Sequence, residues 1–149
     1  MLKIYLDNCC YNRPYDDLSQ IAVSLEANAK LHIQYLIKYG VIDLVYSYMS
    51  LYEIEQNPYE FKKAHILEFL ENATEYVSQE YSEKILEKSE IIMESGIKFA
   101  DAAHLASAIF SKCDYFITTD KRLLKYKTSE INLVNPIEFV KMWGENHDR

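Results

Sequence analysis

The sequence predicts an α/β domain, a three-layer α/β/α sandwich around a mostly parallel central sheet. Short apolar runs recur at Leu2–Leu6, Val41–Tyr46, Tyr115–Thr119 and Ile131–Val134. The stretches between them carry apolar residues at a helical period. Strands and helices thus alternate, the pattern of parallel sheets covered by helices on both faces. With 149 residues, 49% of them apolar, and only three Gly and three Pro, the chain reads as one domain (1–149) with a substantial core.

The first run predicts a buried strand that ends at Asp7. A loop from Asn8 to Asp16, containing Arg13-Pro14, leads to Asp17, an N-cap with Gln20 three residues on. Leu18, Ile21, Ala22, Leu25, Ala29, Ile33, Leu36 and Ile37 then mark one helix face, and Gly40 stops it. Val41 to Tyr46 is the second strand. Ser47 caps a short helix carrying Leu51, Tyr52 and Glu53, which ends at Asn57-Pro58. Helices over Tyr59–Ala73 and Ser82–Ser95 follow, the second stopped by Gly96; Tyr76-Val77 between them is too short to be read as a strand. Ala100–Ser111 is a helix of small residues that permits close packing, with Asp101 in its opening turn. After the third and fourth strands, Asn135-Pro136 starts a last helix with Phe139, Val140 and Trp143.

No apolar run approaches the length of a membrane span, and Asp7 interrupts the N-terminal run too early for a signal peptide. The expected location is the cytoplasm. Three cysteines, Cys9 and Cys10 adjacent and without a Cys-x-x-Cys pair, fit free thiols better than a disulfide framework or a zinc site. The net charge of −7 opposes binding of nucleic acid through phosphate contacts. Locally the sign reverses: Lys121, Arg122, Lys125 and Lys127 follow directly on Asp120, as a solvated face or as a means of steering a polyanion.

Four acids stand out by placement. Asp7 and Asp120 end apolar strands, Glu53 sits on a helix directly after another strand, and Asp101 lies between Phe99-Ala100 and Ala102-Ala103. In an open parallel sheet, sites form outside the carboxyl ends of the strands. Carboxylates gathered there repel one another unless a cation neutralises them, and oxygen donors suit hard divalent ions. One or two Mg²⁺ or Mn²⁺ ions at Asp7, Glu53, Asp101 and Asp120 would support phosphodiester hydrolysis. Asp101 and Asp120 have a structural reading too, as acids at helix N-termini. Glu55 faces nearly opposite to Glu53 on the same helix, so only one of the two enters the site. Asp43 and Asp114 lie at the starts of their strands, the wrong end of the sheet. His104 shares a helix face with Asp101 and reads as a packed histidine hydrogen-bonded to a neighbour rather than a proton donor. The thirteen tyrosines read as core and subunit packing.

The chain resembles the PIN-domain family, specifically the VapC-type toxins of bacterial toxin–antitoxin pairs. The resemblance rests on Tyr5-Leu6-Asp7-Asn8-Cys9-Cys10-Tyr11-Asn12-Arg13-Pro14, Tyr52-Glu53-Ile54, Asp101-Ala102-Ala103-His104-Leu105-Ala106 and Thr118-Thr119-Asp120, in family order over nearly the whole chain. It implies a PIN-like fold and cleavage of RNA dependent on Mg²⁺ or Mn²⁺. Asp7 and Asp101 would be the main metal ligands, with Glu53 and Asp120 completing the site directly or through water. Thr118 would orient the phosphate or a ligand, and Asn8 and Arg122 are further orienting candidates. A homodimer and a small co-encoded antitoxin are the implied partners, and the products would carry a 5′-phosphate and a 3′-hydroxyl. Asn8 departs from the Ser or Thr common after the first acid, but an amide still hydrogen-bonds bound water.

Two other classes compete. A catalytically silent PIN-fold module, binding RNA or protein, would lack acid-dependent Mn²⁺ binding. An aspartate-phosphorylated α/β protein would need a second Asp two residues after the first, where Cys9 stands, or a phosphoacceptor at the mid-chain strand end, where Tyr46-Ser47 stands.

Overall fold

The computed structural model describes residues 1–11 and 21–147; the expected cap at Asp17 with Gln20, the loop over Arg13-Pro14 and Leu18 lie outside the described residues. Five strands form one sheet: β1 (Lys3–Leu6), β2 (Asp43–Ser47), β3 (Glu75–Val77), β4 (Tyr115–Ile117) and β5 (Asn132–Val134). Their order is β3-β2-β1-β4-β5, and every pairing is parallel, with Tyr5 opposite Val45 on one side and Phe116 on the other. "Mostly parallel" thus becomes entirely parallel. The chain steps outward from β1 to β2 and β3, then returns to place β4 on β1's other side. The switch point of the sheet therefore lies between β1 and β4, where such sheets open a crevice.

Both faces of the sheet are buried, and β1 shows why its run is continuous rather than alternating. Ile4 and Leu6 enter a core with Ile33, Ile37, Phe139 and Trp143. Those partners come from α1 (Ile21–Lys38) and α7 (Pro136–His147). Tyr5 turns to the other face, against Phe116, Ala102, Ala106, Ile85 and Ile92. These last four belong to α4 (Ser82–Met93) and α5 (Phe99–Phe110). Between β2 and β3 run α2 (Tyr48–Glu55) and α3 (Glu60–Phe69), and α6 (Lys121–Leu124) follows β4. Among the described residues, no helix is long and apolar enough to cross a membrane.

Several expectations need correction. The second strand starts at Asp43, because Gly40 at φ 71° ends α1 and Val41 is spent closing that turn through its N–H to the Leu36 carbonyl. Tyr76-Val77 does belong to a strand, since pairing with Tyr46 and Ser47 completes the sheet edge despite its brevity. The helix from Tyr59 stops at Phe69 and tightens into a 3₁₀ turn at Leu70–Asn72. In α1, Ile21 and Leu25 are exposed although they continue the apolar stripe of Ile33 and Ile37. The helix has 18 residues, about 27 Å, whereas a five-residue strand such as β2 covers only about 17 Å. A helix that much longer than the strands has turns that the sheet alone cannot cover. Among the described residues, Tyr35, Tyr39, Tyr52, Tyr59, Tyr76 and Tyr81 are exposed in the single chain, so the core part of the expected core and subunit packing does not extend to them.

Candidate metal centre

Asp7 leaves β1 at the sheet's carboxyl edge. It caps a 3₁₀ turn, Asn8–Cys10, by accepting the Asn8 N–H on Oδ1 at 2.8 Å. Its Oδ2 accepts the Thr118 hydroxyl at 2.7 Å, and the Thr118 oxygen in turn accepts the Asp120 N–H at 3.0 Å. Thr118 is wholly buried at the end of β4, so it ties the two loops at the switch point together. Asp120 is an N-cap: its Oδ1 accepts the N–H groups of Arg122 and Leu123. That satisfies donors which the short α6 cannot pair internally.

Glu53 arrives from α2. The helix is fixed by a reciprocal cap in which Ser47 and Ser50 exchange side-chain-to-backbone hydrogen bonds. Oε2 of Glu53 accepts from Asn8 Nδ2 at 3.0 Å and Oε1 lies 2.5 Å from His104 Nε2. A carboxylate only accepts, so the amide nitrogen of Asn8 must face it. That leaves Asn8 Oδ1 buried with no partner among the described residues. Glu55 turns away to an ion pair with Lys63 at 3.6 Å, so Glu53 rather than Glu55 faces Asn8.

His104 is 1% exposed, and its Nδ1 stands 2.6 Å from the Tyr5 hydroxyl, which also contacts Ser47 Oγ at 2.7 Å and Ser50 Oγ at 3.1 Å. Burial pushes the Tyr5 phenol far above its ordinary value, so it remains a donor. One assignment pairs every donor in the network with an acceptor. The two serine hydroxyls donate to the Tyr5 oxygen, Tyr5 donates to Nδ1, and Nε2–H donates to Glu53. Sequence reasoning placed His104 as a packed histidine but missed its partner. Tyr5, in phase with Asp7 along the strand, was the available signal.

Asp101 lies in the first turn of α5 and is not its cap, which is Lys98. Its carboxyl is held above the ordinary range, first by burial and then by the charges of Asp7, Asp120 and Glu53, with His104 offsetting part of this. The four acids therefore share one electrostatic neighbourhood. Asp101 and Asp120 border a cleft of about 530 Å³ whose walls include Lys98, Lys121, Arg122 and Lys125. A smaller cleft of about 250 Å³ at Asn8 and Glu53 carries no cationic side chain. At the opposite edge, Asp114 is occupied with the Lys3 N–H at 2.9 Å.

The donor set suits a hard divalent ion: every acidic group is an oxygen donor, they repel one another, and Asn8 adds an unpartnered oxygen. Among the described residues, no group of three or more His, Cys, Asp or Glu side chains is placed to hold a metal ion. Mg²⁺ does not need such a group, since it is commonly held by one or two carboxylates with water and substrate phosphate.

Beside these residues, the Cys9 and Cys10 sulfurs lie 3.8 Å apart.

Comparison with solved structures shows a shared PIN-like fold. VapBC2 from Rickettsia felis, bound to a DNA fragment from its promoter, aligns with TM-score 0.57 and 12% identity, over 90% of this chain and 98% of that one. FitAcB from Neisseria gonorrhoeae gives 0.56 and 17%, over 89% and 97%. PAE2754 from Pyrobaculum aerophilum gives 0.53 and 15%, over 98% and 91%. No family model and no curated protein sequence matches the chain.

Proposed function

We propose that the protein is a divalent-metal-dependent endoribonuclease and the toxin of a toxin–antitoxin pair. One observation carries this reading: Thr118 ties Asp7 to Asp120 at the carboxyl edge of the sheet, and Asp120 with Asp101 lines a cleft with cationic walls. Asp7 and Asp101 would hold Mg²⁺ or Mn²⁺, with Glu53 and Asp120 completing the site directly or through water. A bound ion would neutralise charge building on the phosphoryl oxygens and make water at the site a better nucleophile. Thr118 fixes the rotamer of Asp7, and His104 with Asn8 fixes that of Glu53, so the acids are oriented before any ligand arrives. Lys98, Lys121, Arg122 and Lys125 would carry the phosphates of an RNA strand along the cleft. They offset locally a net charge that would otherwise repel it. The likeness to the VapBC2 and FitAcB structures supports a small co-encoded antitoxin, and a homodimer completes the reading.

The test is cleavage of a mixed RNA pool in Mn²⁺, with EDTA, Asp7→Asn and Asp101→Asn as controls. All three should abolish cutting, each substitution by about 10²–10³-fold or more, the scale of losing one preorganised charge at a reacting centre. Cutting that survives Asp101→Asn would refute this site. Acid-dependent Mn²⁺ binding by calorimetry without cutting would leave a selective substrate. Neither binding nor cutting would favour the silent module.

A further inference from the structure

The turn that Asp7 caps is made of the two adjacent cysteines, and their side chains link it to the Thr118–Asp120 loop. Cys9 Sγ accepts the Thr119 hydroxyl at 3.2 Å, and the Cys10 thiol points at the Ile117 carbonyl at 3.5 Å. The turn's backbone is held by Cys10 N–H to the Asp7 carbonyl at 2.8 Å, and from α1 by Gln34 Nε2 to the Cys10 carbonyl, also 2.8 Å. Cys10 is buried, whereas Cys9 is partly exposed. Two thiols near contact, only one of them within reach of solvent, have the arrangement of an attacking and a resolving cysteine.

We propose that Cys9 and Cys10 form a dithiol modification site that closes to a reversible disulfide and thereby unseats Asp7. The oxidant is a low-molecular-weight disulfide. The Cys9 sulfur attacks one of its sulfurs, forming a mixed disulfide and releasing one small thiol. The Cys10 sulfur then attacks Cys9, forming the internal bond and releasing the second thiol. The two cysteine protons end on the released thiols; the pair loses two electrons and the external disulfide gains them.

Closure requires the sulfurs to approach from 3.8 Å to about 2.05 Å. Successive Cα atoms across a trans peptide are about 3.8 Å apart, short of the roughly 4.4–6.8 Å that disulfides prefer. The bond is therefore strained, which makes it easily reduced and suits a reversible device. The strain falls on the Cys9–Cys10 peptide and so on the Cys10 N–H bond to Asp7. The hydrogen bond from Thr119 to Cys9 breaks with it. The Cys10 N–H bond is to the Asp7 backbone carbonyl, but the same turn supplies the Asn8 N–H that Asp7 Oδ1 accepts, and a carboxylate whose orienting bond is disturbed holds a metal about 10–100-fold less well.

The consequence for metal binding rests on the nuclease reading; the thiol chemistry does not. The full chain is treated with excess oxidised glutathione, then analysed by intact mass and peptide mapping. Amide hydrogen exchange across Asn8–Tyr11 and Mn²⁺ titration are measured before oxidation, after it and after reduction. The expected result is loss of two hydrogen atoms mapped to Cys9–Cys10, faster exchange in the turn, and Mn²⁺ affinity reduced about tenfold or more, all reversed by reductant. Cys10→Ala should stop at a glutathione adduct on Cys9, and Cys9→Ser should form neither. A stable adduct on the unaltered chain, a link to Cys113, or an unchanged turn after closure would each overturn the proposal. Failure of the reduced protein to bind Mn²⁺ would instead refute the metal site, with mass and exchange still deciding the thiol site.

Discussion

Glu53 is gripped on both carboxylate oxygens, by Asn8 of the turn after β1 and by the buried His104, whereas Asp101 and Asp120 border an open cleft walled by cations. The two sides stand on different kinds of residue. Behind Glu53, His104, Tyr5, Ser47 and Ser50 are all buried and matched donor to acceptor. Behind Asp120 lies a four-residue helix with exposed basic residues. The difference suggests a division of labour, one side holding a carboxylate fixed while the other admits a charged chain. A buried network costs much when half-broken, while an exposed cation costs little to the fold. Stability and binding should therefore respond in opposite patterns to substitutions on the two sides.

The largest stability effect is expected for Tyr5→Phe. Removing the phenol leaves His104 Nδ1 without a donor and two serine protons without their acceptor, all buried. The cost should be about 1–3 kcal/mol, read as a fall in the urea midpoint at unchanged slope. A destabilisation below about 0.3 kcal/mol would mean that the network is not matched as described. Reversing two cations of the cleft, Lys121→Glu with Lys125→Glu, should leave the urea midpoint unchanged. RNA affinity should fall about tenfold or more, and the salt dependence of binding should flatten by about one unit for each phosphate no longer engaged. Equal destabilisation by both variants would erase the contrast.

The holding side was harder to read in the sequence than the admitting side, for physical reasons. Lys121, Arg122 and Lys125 fall within five residues of one another, so their charge was visible, as was the position of Asp120 at a strand end. Tyr5, Ser47, Ser50, Glu53 and His104 converge only when β1, α2 and α5 pack, and beyond the phase of Tyr5 with Asp7 nothing local to any one of them announces the others. The same holds for β3: three residues carry no periodicity, and Tyr76-Val77 becomes a strand only because β2 offers an unpaired edge. Local signals did fix the Ser47 cap, the Gly40 stop and the burial of β1 on both faces. They misjudged the beginning of α1, where the pattern of Ile21 and Leu25 was right for a helix. No sequence pattern states how far the sheet beneath extends. The exposed tyrosines fail for a related reason, since a ring at a helical position is core only if another element covers it.

The smallest effect expected is also the one that reports most directly on crowding of the acids. Burial and the charges of Asp7, Asp120 and Glu53 raise Asp101 above its ordinary value, so the ionised form is less comfortable folded than unfolded. For a carboxyl shifted upward, stability is fully present below the unfolded value and is lost as pH rises through the folded one. Asp101→Asn removes that loss. In EDTA at neutral pH the variant should melt higher than the unaltered protein, by about 1–2 °C, a small gain because solvent screens a half-buried group. The gap should close as pH falls through the raised value, where the unaltered carboxyl is neutral as well. Saturating Mn²⁺ should invert the order, since an ion held a hundredfold above its dissociation constant adds about 2.7 kcal/mol to the protein that binds it. A variant that melts lower in EDTA would show Asp101 to be a stabilising residue of the α5 N-terminus, and the electrostatic case for a shared ion would fall with it.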